Sequence, residues 1–160
     1  MILVMVGTQN NSFHRLLEQL DRLIEDGKIK DKVIVQAGYT KYTSNNMKII
    51  DFMPKDELEK LQEQADLIIT HGGVGSIISS IEKGKKVIAI PRLHEYGEHV
   101  NNHQKEIVER FSKNGSIIGI SGVEELEKGI ELSKDFIPKP YTGNNKKMLN
   151  IIENFINNVK

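Results

Sequence analysis

Short runs of aliphatic and β-branched residues alternate along the chain with longer stretches in which apolar positions recur every three or four residues. The short runs suit strands buried on both faces, and the longer recurrence marks one apolar face of a helix. Alternation of the two is the rhythm of βα units around a mostly parallel sheet. Strands are predicted at residues 2–6, 32–36, 47–51, 67–70, 86–90 and 116–118. Ser12 is placed to cap a first helix whose apolar face carries Phe13, Leu16, Leu17, Leu20, Leu23 and Ile24. Pro54, Lys55 and Asp56 open a second helix carrying Leu58 and Leu61. Residues 76–83 form a third, stopped by Gly84; residues 100–111, 123–132 and 144–159 form the rest. The fold class expected is α/β: one domain over residues 1–160, a mostly parallel sheet with helices on both faces. Residues 143–160 supply a terminal helix with an apolar face of Met148, Leu149, Ile151, Ile152, Phe155, Ile156 and Val159.

Composition narrows the function classes. A chain of 160 residues fits one domain that buries roughly 70% of its unfolded surface, enough for a core without disulfides or structural metal. Lys and Arg number 22, as do Asp and Glu, so there is no basic excess with which to displace counterions from nucleic acid. The absence of Cys removes a thiol nucleophile and thiolate metal ligands. No apolar run approaches the roughly 20 residues that cross a bilayer. The first six residues follow no basic region and read as a buried strand, not a signal peptide.

Three loops follow predicted strands, the edge of an open α/β sheet where helix N-termini leave backbone N–H groups unpaired. The first is Gly7-Thr8-Gln9-Asn10-Asn11-Ser12. The second is Thr70-His71-Gly72-Gly73-Val74-Gly75-Ser76, in which three glycines clear side chains from a helix start where a phosphate could touch the main chain. It is neither a dinucleotide fingerprint nor a P-loop. The third spans residues 91–104 and holds Arg92, His94, Glu95, Glu98, His99, Asn102, His103 and Gln104. Its spacing lacks the H-E-x-x-H pattern, and only His99 and His103 would share a helix face, so a polar ligand loop is expected there and no metal or cofactor.

Taken in order, these loops resemble the C-terminal, nucleotide-sugar-binding half of a GT-B glycosyltransferase of the MurG and Alg13 type, a Rossmann-like domain. The nearest resemblance is to PssE/Cps14G-like subunits of capsule and exopolysaccharide synthesis. It is carried by Gly7-Thr8-Gln9, by His71 through Ser76, by residues 84–92 and by residues 96–104. The resemblance implies that Phe52 and Met53 meet the uracil ring and that Gly72, Gly73, Gly75, Ser76 and His71 face the donor diphosphate. Gly7, Thr8 and Gln9 would line its other side, and Arg92 would assist the leaving UDP. Asn102, His103 and Gln104 match the positions that hold the donor sugar. One departure stands out: Ser79 occupies the place of a ribose-gripping Glu, and Glu82 lies one turn further along.

A GT-B enzyme closes two such domains around its substrates, and this chain supplies one. The resemblance therefore implies a membrane-anchored, Alg14- or PssD-like partner that presents a lipid-linked saccharide acceptor. The chain would be cytoplasmic and peripheral at the inner face of the membrane through that partner, and in isolation it could form homo-oligomers. The activity implied is inverting transfer of galactose, glucuronate or N-acetylglucosamine from a UDP-sugar. The general base would belong to the partner, with His71 and His99 as fallbacks in this chain. The competing reading is a non-catalytic nucleotide-binding or regulatory module on the same fold. A dinucleotide-dependent oxidoreductase lacks its fingerprint here.

Overall fold

The computed structural model describes residues 1–7, 11–99 and 101–140. Six strands form one parallel sheet: β1 (Ile2–Met5), β2 (Val33–Gln36), β3 (Lys48–Ile50), β4 (Leu67–His71), β5 (Val87–Ile90) and β6 (Ile118–Gly119). Their order across the sheet is β3-β2-β1-β4-β5-β6, and every pairing is parallel. Five α-helices connect or follow them: α1 (His14–Glu25), α2 (Lys55–Gln64), α3 (Val74–Glu82), α4 (His103–Lys113) and α5 (Leu126–Ser133).

The central strands are apolar at consecutive positions because both of their faces are covered. Ile2, Val4, Leu67, Ile69, Ile88 and Ile90 pack with Phe13, Leu16, Leu17, Leu20 and Leu23 of the α1 region and with Leu126 of α5. The alternate residues Leu3, Met5, Ile68, Val87 and Ala89 pack against Ile77 and Ile81 of α3 and Ile107, Val108 and Phe111 of α4. Each of these side chains larger than alanine, taken fully out of water, stabilises the fold by roughly 1.5–3 kcal/mol.

All six predicted strands are present, and the helix starts differ from expectation for identifiable reasons. Ser12 does not cap α1. The residue before the helix is Phe13, without a side-chain cap, and its N–H donates to Thr40 Oγ1 at 2.9 Å. The third helix starts at Val74, which puts Gly75 inside its first turn. A 3₁₀ turn over His94–Tyr96, closed by Gly97 in the left-handed region at φ 68°, precedes the fourth helix and delays its start to His103. The expected last helix lies outside the described residues, and among those described no helix is long and apolar enough to cross a membrane.

Candidate functional site

The sheet order changes direction at β1. Connections from β1 lead to β2 on one side, and β4 lies on the other, so a crevice opens beyond the carboxyl ends of β1 and β4. Met5 pairs with Thr70 at this edge, and Gly7 and His71 follow immediately. A cleft of about 300 Å³ sits here, lined by Met5, Gly7, Gln36, Phe52, Met53, Leu58, His71, Gly73, Gly75 and Ser76. Seven of these lining residues are ones the sequence reading selected. Thr8 and Gln9 lie outside the described residues.

The glycines of the turn have a more specific task than clearing room for a ligand. A Cβ on Gly7, which sits at φ +84°, would lie 2.6 Å from His71 Nε2; one on Gly73 would lie 2.1 Å from His71 Cε1. A Cβ on Gly72 would meet Gln104 Cβ at 2.7 Å. The three glycines therefore make space for two side chains of the protein itself. Gly75 alone in this turn faces open space. It lies in the first turn of α3, whose leading N–H groups have no carbonyl partner within the helix and carry the positive end of its dipole.

His71 is buried, and its ring is held neutral. Burial pushes its pKa down to about 3; the positive charge of Arg92 adds to this, and a hydrogen bond with Gln104 opposes it. Nδ1 lies 3.2 Å from Gln104 Nε2 and Nε2 lies 3.4 Å from Ser76 Oγ. No acidic or permanently charged side chain is among the described residues that line the cleft. The polar features it offers are N–H dipoles at the start of α3, which favour negative charge.

Phe52 is half exposed beside the cleft and packs edge-on against Tyr39, with ring centroids 5.1 Å apart. Sequence reasoning missed Met5, Leu58 and Gln36. Gln36 ends β2 and is buried; its Nε2 donates to Asp51 O at 3.0 Å and so fixes the segment that leads to Phe52 and Met53. The signal for it was a polar residue closing an otherwise apolar strand at the carboxyl edge of the sheet.

The third loop is arranged differently from expectation. Arg92 is 1% exposed and does not reach the cleft. Its guanidinium donates to the carbonyls of Val6, Asn11 (2.5 Å) and Glu98 (3.3 Å) and lies 5.2 Å from the Phe13 ring centroid. Burial lowers its pKa to about 10 while Glu98 acts against the shift. Here Arg92 ties β1 to the loops through backbone carbonyls. Glu98 is likewise buried. It accepts a two-pronged bond from Arg15 at 2.8 and 2.9 Å and another from Leu93 N at 3.1 Å. Tyr96 lies over the Arg15 guanidinium at 3.9 Å.

His99 is half-buried, and its pKa is lowered by burial and by Arg92 against bonds from Asn101; its Nδ1 accepts the Asn101 N–H at 3.3 Å. Asn102 Oδ1 accepts from His94 N, and Asn102 Nδ2 donates to Glu95. His103 is half-buried at the start of α4, with its backbone N–H on Asn101 Oδ1. Gln104 is buried and turns inward onto Gly72, Arg92 and His71, and Ser79 faces Gln62 on α2, whose Nε2 donates to it at 2.9 Å. Ser79 does not line the cleft. Among the described residues no group of three or more His, Asp or Glu side chains gathers around a cation-sized space.

Comparison with known proteins gives this geometry a family. A model of the glycosyltransferase family 28 C-terminal domain matches residues 1–159. The UDP-N-acetylglucosamine transferase subunit ALG13 of Candida albicans is 33% identical over 91 residues, 57% of this chain and 29% of that protein. The subunit of the same name from Candida glabrata is 30% identical over 107 residues, 64% of this chain and 46% of that one. The mouse subunit is 40% identical over 63 residues, covering 39% of this chain and 5% of its own. The chain thus spans less than half the length of these curated relatives. Among solved structures, the NMR solution structure of ALG13 superposes with a TM-score of 0.62 at 19% identity, over 94% of this chain and 93% of that one. Acinetobacter baumannii MurG superposes at 0.57 and 16% identity, over 82% of this chain and 41% of its own. Six parallel strands, a cleft at the switch point and a family match over nearly the whole chain agree: this chain belongs to the glycosyltransferase family 28 C-terminal domains, the GT-B half found in the MurG and Alg13 type.

Proposed function

We propose that the chain is the donor-binding subunit of a two-component inverting glycosyltransferase that takes a sugar from a UDP-sugar. The observation that carries this reading is the uncharged cleft at the β1/β4 switch point. It combines an exposed aromatic ring at Phe52 with the unpaired N–H groups of α3 and the Nε2 edge of His71. An aromatic face suits a base, and N–H dipoles at a helix start suit a diphosphate. The names of the ALG13 relatives make UDP-N-acetylglucosamine the first donor to test, with galactose and glucuronate donors beside it.

As the glycosidic bond breaks, negative charge develops on the leaving diphosphate, and donors fixed beforehand stabilise it without reorganisation. Inversion also needs a general base at the acceptor hydroxyl. Neither His71 nor His99 fits that task. His99 Nδ1 accepts the Asn101 N–H, which leaves the proton of its neutral ring on Nε2, and both ring nitrogens of His71 already face hydrogen-bond partners, Gln104 at Nδ1 and Ser76 at Nε2. The base is therefore assigned to a membrane-anchored, Alg14- or PssD-like partner that presents a lipid-linked saccharide, in capsule or exopolysaccharide assembly at the inner membrane face.

Calorimetry with UDP tests the site. Gly75→Asp puts a carboxylate into open space in the first turn of α3, where an acidic residue favours the helix itself. UDP affinity should fall about a hundredfold or more while the melting temperature holds; unchanged affinity would remove the diphosphate from this cleft. Gly73→Asp is uninformative, because its Cβ would collide with His71. Transferase activity should require co-expression with the partner, and full activity of the chain alone would refute the two-component reading.

A further inference from the structure

Gln104 lies at the meeting point of three segments. Its Oε1 accepts the backbone N–H of Gly72 at 3.1 Å and the backbone N–H of Arg92 at 3.0 Å. Only the oxygen end of the amide can accept two N–H donors, so the orientation of the group is fixed by its own bonds. The NH₂ end then faces His71 Nδ1 at 3.2 Å. A donor on that side requires a lone pair on Nδ1, and the single proton of the neutral imidazole is left on Nε2.

We infer that Gln104 is a positioning residue: it holds His71 in the Nε2–H tautomer, with that N–H directed to the cleft beside Ser76. The ring occupies the space that a Cβ on Gly7 or Gly73 would need, so it lies directly against the backbone of both. The charged or titratable groups acting on the ring are Arg92 and His99, and both oppose its protonation; no carboxylate acts on it. The ring therefore stays a neutral hydrogen-bond donor through the physiological range. That Nε2–H donor is one an anion in the cleft can use. This last step rests on the donor-binding reading above, whereas the tautomer assignment does not.

Gln104→Glu isolates the effect. A carboxylate keeps an oxygen for Gly72 and Arg92 and replaces only the atom that faces Nδ1, changing a donor into an acceptor. Nitrogen NMR of the ¹⁵N-labelled full chain, without ligand, reads the tautomer directly. In the wild type, His71 should show an unprotonated Nδ1 and a protonated Nε2 from pH 5.5 to 8. In Gln104→Glu, Nδ1 should become protonated. A wild-type Nδ1–H overturns the proposal whether or not the variant folds, and an Nδ1 that stays unprotonated in the folded variant overturns it as well.

UDP titration gives the second arm. Relative to wild type at each pH, the variant should bind UDP about tenfold more weakly at pH 8, where Nε2 would present a lone pair. The deficit should shrink toward pH 5.5 as the ring gains a second proton beside the introduced carboxylate. Parallel pH profiles would detach His71 from UDP while leaving the tautomer result standing. Absence of UDP binding in the wild type would instead fault the donor-binding reading.

Discussion

Two walls meet at the same edge of the sheet and are built on opposite principles. The wall formed by Gly7, the turn from His71 to Ser76 and the segment at Phe52 and Met53 contains no permanently charged side chain among its cleft-lining residues, yet it presents dipoles and an aromatic ring to the opening. The wall formed by residues 91–104 is rich in charge, and its strongest charges turn inward: Arg92 onto three carbonyls and Glu98 onto Arg15. Charge density along a loop therefore marks here the place where loops are fastened together. The lining of the open cleft comes from the segment that lacks charge.

The largest expected break in this contrast is Glu98→Ala. It leaves Arg15 without its two-pronged partner and removes the carboxylate whose charge favours Arg92. Disruption of a buried pair costs about 3–5 kcal/mol when both ions are enclosed. Arg15 is 23% exposed and regains some hydration, so about 3 kcal/mol is expected from urea unfolding at pH 7. A loss below about 1 kcal/mol would show that the charged wall is not a fastening.

The uncharged wall should instead betray itself through pH. A histidine whose folded pKa is depressed binds fewer protons in the native state than in the unfolded chain, so stability falls as pH drops below the unfolded value near 6.5 and continues to fall toward the folded value near 3. His71 should contribute a loss of about 2 kcal/mol between pH 6.5 and 5, and the depressed His99 acts in the same direction. Asp66 and Glu125 have lowered pKa values, so their stabilisation is lost at more acid pH, below the usual carboxylate range. Denaturation midpoints at these two pH values should converge in His71→Gln if His71 is the source; an undiminished difference would contradict the burial of a neutral ring. The smallest effect is expected from Phe52→Ala. The ring is half exposed and contributes little to the core, while stacking on a base is worth roughly 1–3 kcal/mol. UDP affinity should drop about tenfold by calorimetry with little change in melting temperature.

The sheet was legible because its strands are covered on both faces and read as uninterrupted apolar runs such as Val87 to Ile90. Helix starts were less so, since what satisfies them comes from afar: Phe13 donates to Thr40, 27 residues away. The glycine turn announced itself, but the occupant of the space it leaves did not. Gln104 lies 33 residues from His71, and nothing in the spacing of either loop says that one amide will join them. The burial of Arg92 was hidden for a related reason. An arginine is seldom fully buried, so a sequence reading places it at a ligand, and only the fold reveals the carbonyls that surround it.

The single oxygen shared by Gly72 and Arg92 gives these two segments a common fate. Neither amide keeps this partner once Gln104 leaves. Local opening at this edge is therefore one event for the ends of two neighbouring strands, and its free energy bounds how often the cleft comes apart while the sheet beneath remains whole.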